Sequence, residues 1–345
     1  MRYVSIERVK PGMKLGKTIF DDQNRVLLSN NSSLSEEYIA RLIERGYPGI
    51  YIQDEFSEGI VIEEVIPVEL RNRSAQAVKD CDLDELQNVA VEIVDAILNS
   101  GEHISMDIMD LRTYDNYTYK HSVNVAVITT IIGLYLKYSH DELVDLCLAG
   151  LLHDIGKTKI DNNIINKPAK LTDEEYSIVK EHARFSYEML YDNWTISSKT
   201  RQGVLHHHEN ENGTGYPDKL VGDEIPIYAK IIHVADVYDA LTSKRPYKKP
   251  FALSEAIEYL MGGGNVLFDT EIVHIFVKTV PVYPKGTEVV LSNGKAGLVV
   301  SNTSNPLRPI VKMYDTKEEI NLNTDMDYMN VIIAPHTIVE CNYSQ

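Results

Sequence analysis

The chain reads as a multidomain protein. An all-helical middle is flanked by a small α+β segment at the N-terminus and a small β-rich extension at the C-terminus. Three observations predict this. Apolar residues recur at helical spacing from about residue 69 to 280, where proline is rare. Proline returns at Pro281, Pro284, Pro306, Pro309 and Pro335, among short β-branched runs. Before the helical stretch, strand-like and helix-like runs alternate within about 68 residues.

Taken in order, residues 1–68 hold two strand-like runs, Val26-Leu27-Leu28 and Ile50-Tyr51-Ile52. Between them Ser33-Leu34-Ser35-Glu36-Glu37 has the look of a helix start, with Ser ahead of an acidic first turn. Tyr38, Ile39, Leu42 and Ile43 follow at helical spacing, and Gly46 ends the run. In residues 69–280 the apolar faces fall at Leu86, Val89, Val91, Ile93, Val94, Ile97 and Leu98, then at 123–136, 143–152, 174–191, 227–241 and 254–260. In residues 281–345, Val289-Val290-Leu291 and Gly297-Leu298-Val299-Val300 are joined by Ser292-Asn293-Gly294-Lys295, a strong hairpin signal. A barrel-like or sandwich-like appendage is expected there.

Composition narrows the class. The chain has 345 residues, 43% hydrophobic and 25% charged, with a net charge of −17. That charge disfavours nucleic acid polymers and anionic membrane surfaces as partners. A phosphate-bearing ligand would need local positive charge. Cys81, Cys147 and Cys341 are scattered, which speaks for a reducing compartment and against a thiolate metal site. The longest apolar stretch, 123–136, is interrupted by Asn124, Thr129 and Thr130 and reads as a buried helix, not a membrane span. The expectation is a soluble cytoplasmic protein.

Histidine and aspartate carry the chemistry. His153-Asp154 ends the apolar run 146–152, and His207-His208 follows Val204-Leu205. His121 opens the buried helix, His182 lies within the helical run 174–191, and Asp236 within 227–241. A buried His or Asp without a partner costs several kcal/mol of desolvation, so each needs a ligand or hydrogen bond. Gathering them around divalent ions would satisfy all of them, and nitrogen with oxygen suits first-row metals. Metal-assisted hydrolysis of a phosphate ester follows as the expected chemistry. His103, His140, His274 and His336 read as ordinary structural or surface histidines; His206 and His233 lean the same way.

Together these segments resemble the HD-GYP family of HD phosphohydrolases. The matching residues are Tyr117-Thr-Tyr-Lys-His121, His153-Asp154-Ile-Gly156-Lys157, His182, His207-His208-Glu209, Gly213-Thr-Gly215-Tyr216-Pro217, and Asp236 through Lys248. The resemblance spans about 200 residues. It implies an HD-type helical catalytic domain that cuts cyclic di-GMP to linear pGpG. It implies His121, His153, Asp154, His182, His207, His208 and Asp236 as metal ligands, with Asp154 bridging the metals; a nitrogen and oxygen ligand set without thiolate points to iron or manganese. Asp154 and Lys157 would be catalytic, Lys157 beside the scissile phosphate. Gly215, Tyr216 and Pro217 would shape the pocket, and Arg245 and Lys248 would hold the far phosphate or a guanine edge. The N-terminal segment resembles the small domain that often precedes this family and is expected to serve dimerisation or protein partners.

Two departures stand out. Asn212 replaces the family's usual Asp and Asn210 a common Arg. Tyr117 stands where three-metal members carry Glu; with a phenol pKa near 10 it is a poor ligand, so two ions are expected. Cutting beyond pGpG to GMP, preference for cyclic GMP-AMP, and a weakly active nucleotide sensor acting through partners remain as alternatives.

Overall fold

Helices in this protein begin where the sequence supplies caps. Ser35 Oγ accepts from Tyr38 N at 3.2 Å, and Ser139 with Glu142 and Thr172 with Glu175 form reciprocal capping boxes. The computed structural model describes residues 1–21, 25–47, 49–62, 64–100, 117–165, 167, 169–243 and 251–334. They fall into two units. One joins Met1–Glu64 to the stretch from Val280 onward; the other holds Val65–Ile104 and Asn116–Thr279. The two terminal segments, read separately from the sequence, therefore share one unit.

In the terminal unit β1 (Arg2–Ser5), β2 (Lys14–Leu15), β3 (Ile19–Phe20) and β4 (Val26–Leu28) precede α1 (Glu36–Glu44) and β5 (Gly49–Gln53). The antiparallel sheet runs β1-β5-β2, and β3 pairs with β4 alone. Val4, Leu15, Leu34, Leu42, Ile50 and Ile52 form the core beneath it. Downstream, β6 (Glu288–Val290), β7 (Ala296–Ser301), β8 (Ile310–Met313) and β9 (Glu319–Asn321) make a four-stranded antiparallel meander. The expected hairpin is β6–β7, with Gly294 at φ +82° in its turn. The appendage is one open sheet over its own small core, not a barrel or sandwich, among the described residues. Three or four short strands bury one face and no more.

The two segments are fastened by charge. Glu288, with its side chain 8% exposed, accepts from Arg2 and Arg8 and from the Tyr314 hydroxyl at 2.7 Å. Arg2 also donates to Asp54 at 2.6 Å, and Tyr3 N donates to Gly286 O at 2.9 Å. Phe56 packs on Tyr314 with centroids 4.3 Å apart, and Lys312 Nζ donates to Phe56 O.

The helical unit contains α2 (Val68–Asp80), α3 (Leu83–Asn99), α4 (Tyr117–Tyr135), α5 (His140–Leu152), α6 (Asn162–Ile165), α7 (Asp173–Lys180), α8 (His182–Leu190), α9 (Ser198–His206), α10 (Ile227–Thr242), α11 (Leu253–Gly262) and α12 (Thr270–Thr279). α10 is buried on nearly every face, and α4 and α5 pack along it. The run 174–191, read as a single helix, is two. The chain breaks at Glu181, so His182 opens α8 instead of sitting mid-helix. No helix among the described residues is long and apolar enough to cross a membrane.

Replacing Glu288 with Ala leaves two partly buried arginines without their shared acceptor. Removing one partner of a buried ion pair costs about 3 kcal/mol or more. Hydrogen exchange at the Tyr3 amide, in Glu288→Ala against wild type, should accelerate accordingly. Unchanged exchange would show that the charge cluster does not hold these strands together.

Candidate metal centre

The seven His and Asp residues singled out in the sequence converge in the helical unit, and most sit at helix ends. His153 caps α5 and Asp154 follows it. His182 opens α8; His207 caps α9, with His208 next; His121 lies one turn into α4; Asp236 lies in α10. The chain can turn at Gly156 because α8 passes directly against it. A Cβ there would lie 2.2 Å from His182 O and 2.4 Å from Ser186 N. Ser186 Oγ accepts from Gly156 N and donates to His153 O, tying the His-Asp turn to α8.

Each of three histidines is oriented by the same device. His153 Nδ1 donates to Gly150 O at 2.8 Å, His182 Nδ1 to Val179 O at 2.7 Å and His207 Nδ1 to Val204 O at 2.7 Å. A carbonyl three residues back takes the proton on Nδ1, which leaves Nε2 as a lone-pair donor facing inward. His121 does it with a carboxylate: its Nδ1 meets Asp239 Oδ2 at 2.7 Å, and Asn124 Nδ2 holds the other Asp239 oxygen at 2.8 Å.

Asp154 lies between the two sides of the cluster. Its Oδ1 is 3.3 Å from His182 Nε2; its Oδ2 is 3.4 Å from His153 Nε2 and 3.8 Å from His121 Nε2. Asp236 Oδ1 is 3.1 Å from His121 Nε2, and Asp236 Oδ2 is 4.0 Å from His208 Nδ1. Three overlapping groups, His182/His207/His208, His121/His153/Asp236 and His153/Asp154/His207, each hold their ligand atoms within 4.8 Å of one another. His153 Nε2 and Asp154 Oδ1 are buried and have no hydrogen-bond partner among the described residues. Such orphaned atoms are costly unless a cation meets them. The donor set is nitrogen and oxygen, which suits hard-to-borderline divalent metals, and the residues fit that use.

Electrostatics agree with the geometry. Burial pushes the His207, His208 and His182 imidazoles below their ordinary value, so they stand neutral and ligand-ready. Burial alone would raise the Asp154 carboxyl, but the Lys157 ammonium and His153 hold it well below the carboxylate range. Asp236 is likewise held down against burial, chiefly by the His121 hydrogen bond. His121 runs the other way: burial lowers it, but hydrogen bonds to Asp236 and Asp239 raise it to about 9.

Lys157, on the turn after Asp154, donates to Asp154 Oδ2. Gly215 passes so close to His208 that a Cβ would lie 2.5 Å from His208 O and 2.4 Å from Asn210 N. This lets Tyr216 N donate to His208 O and lets the Tyr216 ring stack on His208, centroids 4.6 Å apart. Pro217 is half-buried beside it. Asn212 builds the loop: its Oδ1 accepts from Thr214 N and Thr214 Oγ1, a task that needs an oxygen and no charge. The Tyr117 side chain, Arg245 and Lys248 lie outside the described residues.

Three contributors escaped the sequence reading as site residues. Asp239 orients His121, and His233 Nδ1 donates to His207 O at 2.8 Å. Buried Glu209 accepts from Asp218 N and Lys219 N, pinning the loop that carries Tyr216. Asp239 lay one helical turn from Asp236, a spacing that could have flagged it. His206, left as structural, pairs with Asp218 Oδ2 at 3.1 Å.

Two outcomes follow. Asp239→Ala frees the His121 ring, and loss of such an outer partner lowers metal affinity about 10- to 100-fold; metal titration of the folded variant measures it, and unchanged affinity would remove Asp239 from the centre. The His121 proton, with a pKa raised from 6.5 to about 9, stabilises the metal-free fold fully below pH 6.5 and loses that effect as pH rises through about 9. A cation at Nε2 displaces this proton, so affinity should climb across that window, by about tenfold per unit for one proton. A flat profile between pH 7 and 9 would contradict the assignment.

The comparisons with known proteins fit this centre. The HD domain family model matches residues 106–272. Cyclic di-GMP phosphodiesterase PA4108 of Pseudomonas aeruginosa is 37% identical over 243 residues, covering 70% of this chain and 58% of its own length. The 3′3′-cGAMP-specific phosphodiesterase 3 of Vibrio cholerae is 36% identical over 168 residues, 49% of this chain and 36% of its own length. This chain thus spans less than two thirds of either relative. Among solved structures, Bd1817, an HDG"Y"P protein from Bdellovibrio bacteriovorus, matches with a TM-score of 0.53 over 79% of this chain and 97% of that one, at 16% identity, a likeness of fold. The HD domain match, these relatives and the convergent His and Asp residues together support reading the chain as a member of the HD-GYP family.

Proposed function

We propose that this chain is a metal-dependent phosphodiesterase that opens cyclic di-GMP to linear pGpG. The observation that carries the reading is Asp154, whose two buried carboxylate oxygens face different sets of histidine Nε2 atoms. A carboxylate so placed is suited to bridge two cations. His121, His153 and Asp236 would hold one, His182, His207 and His208 the other. Iron or manganese is favoured by a nitrogen and oxygen set without thiolate. Such ions supply Lewis acidity toward phosphate and make hydroxide available near neutral pH.

The chain's own residues do the rest. Lys157 puts an ammonium at Asp154 Oδ2, beside where charge builds on the phosphate oxygens. Tyr216, stacked on His208 in the loop that Glu209 pins, would set an aromatic ring beside the bound nucleotide. Water adds to phosphorus, the bond from phosphorus to the 3′ oxygen breaks, and that oxygen leaves with a proton as the 3′ hydroxyl. Asn212 does not weaken this reading, since its oxygen serves the loop. The Pseudomonas relative is a cyclic di-GMP phosphodiesterase by name, which supports the substrate. The Vibrio relative supports the second reading, cyclic GMP-AMP.

The test is chromatography of the nucleotides after incubation with Fe(II)-loaded protein without oxygen, cyclic GMP-AMP in parallel. Cyclic di-GMP should give pGpG and stop there, and metal analysis should give two ions per chain. Three ions would overturn the two-metal reading. His153→Ala with Asp154→Ala should abolish turnover, and Lys157→Ala should lower kcat about 100-fold. Faster cutting of cyclic GMP-AMP would transfer the assignment to that substrate. No product from either, with metal bound, would leave a nucleotide-binding module.

A further inference from the structure

Beside the metal centre lies a second feature that the mechanism does not use. Lys180, the last residue of α7, holds its ammonium over the Tyr176 ring, 5.1 Å from the centroid, and 6.0 Å from the centroid of Tyr216. Tyr216 in turn stacks on His208 and stands edge-on to His182, with centroids 6.4 Å apart. The cation is therefore one ring away from two of the metal-centre histidines. Tyr176 is 50% exposed, so part of its ring is open to a ligand. Among the described residues the ammonium rests on ring faces and not on a carboxylate, in a chain whose net charge is −17.

An open aromatic face beside a cation that can only donate hydrogen bonds matches a purine with acceptors along one edge. Guanine offers O6 and N7 there, both acceptors; adenine offers N7 beside an N6 amino donor, which an ammonium cannot meet. Stacking on Tyr176 would hold any base, while Lys180 would choose. The ring contacts pre-place the ammonium, so less rotamer freedom is lost on binding.

We propose that Lys180 and Tyr176 form a guanine-recognition subsite, with Lys180 selecting guanine over adenine in a cyclic dinucleotide. This rests on the cyclic dinucleotide reading above. A lysine ending a helix also complements the helix dipole, a role indifferent to any ligand.

Equilibrium binding separates these. Cyclic di-GMP and cyclic di-AMP are titrated by calorimetry into metal-free protein, where nothing is cut. Wild type should prefer cyclic di-GMP. Lys180→Ala should weaken cyclic di-GMP about tenfold and cyclic di-AMP less than twofold, and Lys180→Arg, which also donates to O6 and N7, should restore the preference. Tyr176→Ala should weaken both together. Equal losses for both nucleotides in Lys180→Ala would mean a phosphate contact and overturn the proposal. So would no loss, or a wild type that binds neither or shows no preference. A wild type that binds with this preference yet cuts neither nucleotide when loaded with Fe(II) would sink the phosphodiesterase reading and leave the guanine contact standing.

Discussion

The helical unit depends on one constraint: imidazole Nε2 atoms must face a shared buried space with their lone pairs free. The protein meets it with backbone. In His153, His182 and His207 the carbonyl three residues back takes the Nδ1 proton, so each tautomer is set by the helix end that carries the ring. Local geometry thus does what would otherwise need extra acidic side chains. His121, one turn inside α4, turns its Nδ1 to the Asp239 carboxylate of α10 instead. The rows of Val, Ile and Leu that bury α4, α5 and α10 bring these ends together and exclude water from them. Burial then favours neutral rings, and hydrophobic packing and ligand chemistry reinforce each other.

Much of this was readable in the chain. The His-Asp and His-His pairs, with His121, His182 and Asp236, stood out because polar residues interrupt apolar helical runs, and desolvation makes such interruptions meaningful. The long helices were readable for the same reason. Other features have no local signature. Asp239 binds a ring 118 positions away, and the break at Glu181 leaves the apolar spacing of 174–191 almost undisturbed. β1 is four residues long, too short for alternation to register, and its pairing with β5 is set by chain return, not by pattern.

The loop from Glu209 to Lys219 illustrates why a departure from a family pattern can be mild. Its conformation is held by Glu209 on backbone amides, by Gly215 allowing close approach, and by the Asn212 oxygen on Thr214. Each contact asks for shape and acceptor capacity. None of the Asn212 contacts uses a negative charge, so amide and carboxylate are close to equivalent at that position, whereas a Cβ at 215 would collide with main chain.

The joining of the terminal segments has a consequence for how the molecule is made. Arg2 and Glu288 are 286 positions apart, and the sheet that carries Glu288 is completed only by strands that follow it. During synthesis, β1 to β5 emerge long before their partners. The intervening helices, rich in local contacts, can collapse while the ribosome is still at work, but the unit that joins β1–β5 to β6–β9 must wait for the latter strands. Closing so long a loop from the open chain is entropically slow; a helical unit already folded shortens the effective span. Assembly therefore has a direction, with the helical unit maturing first and the unit around Arg2 and Glu288 closing after it.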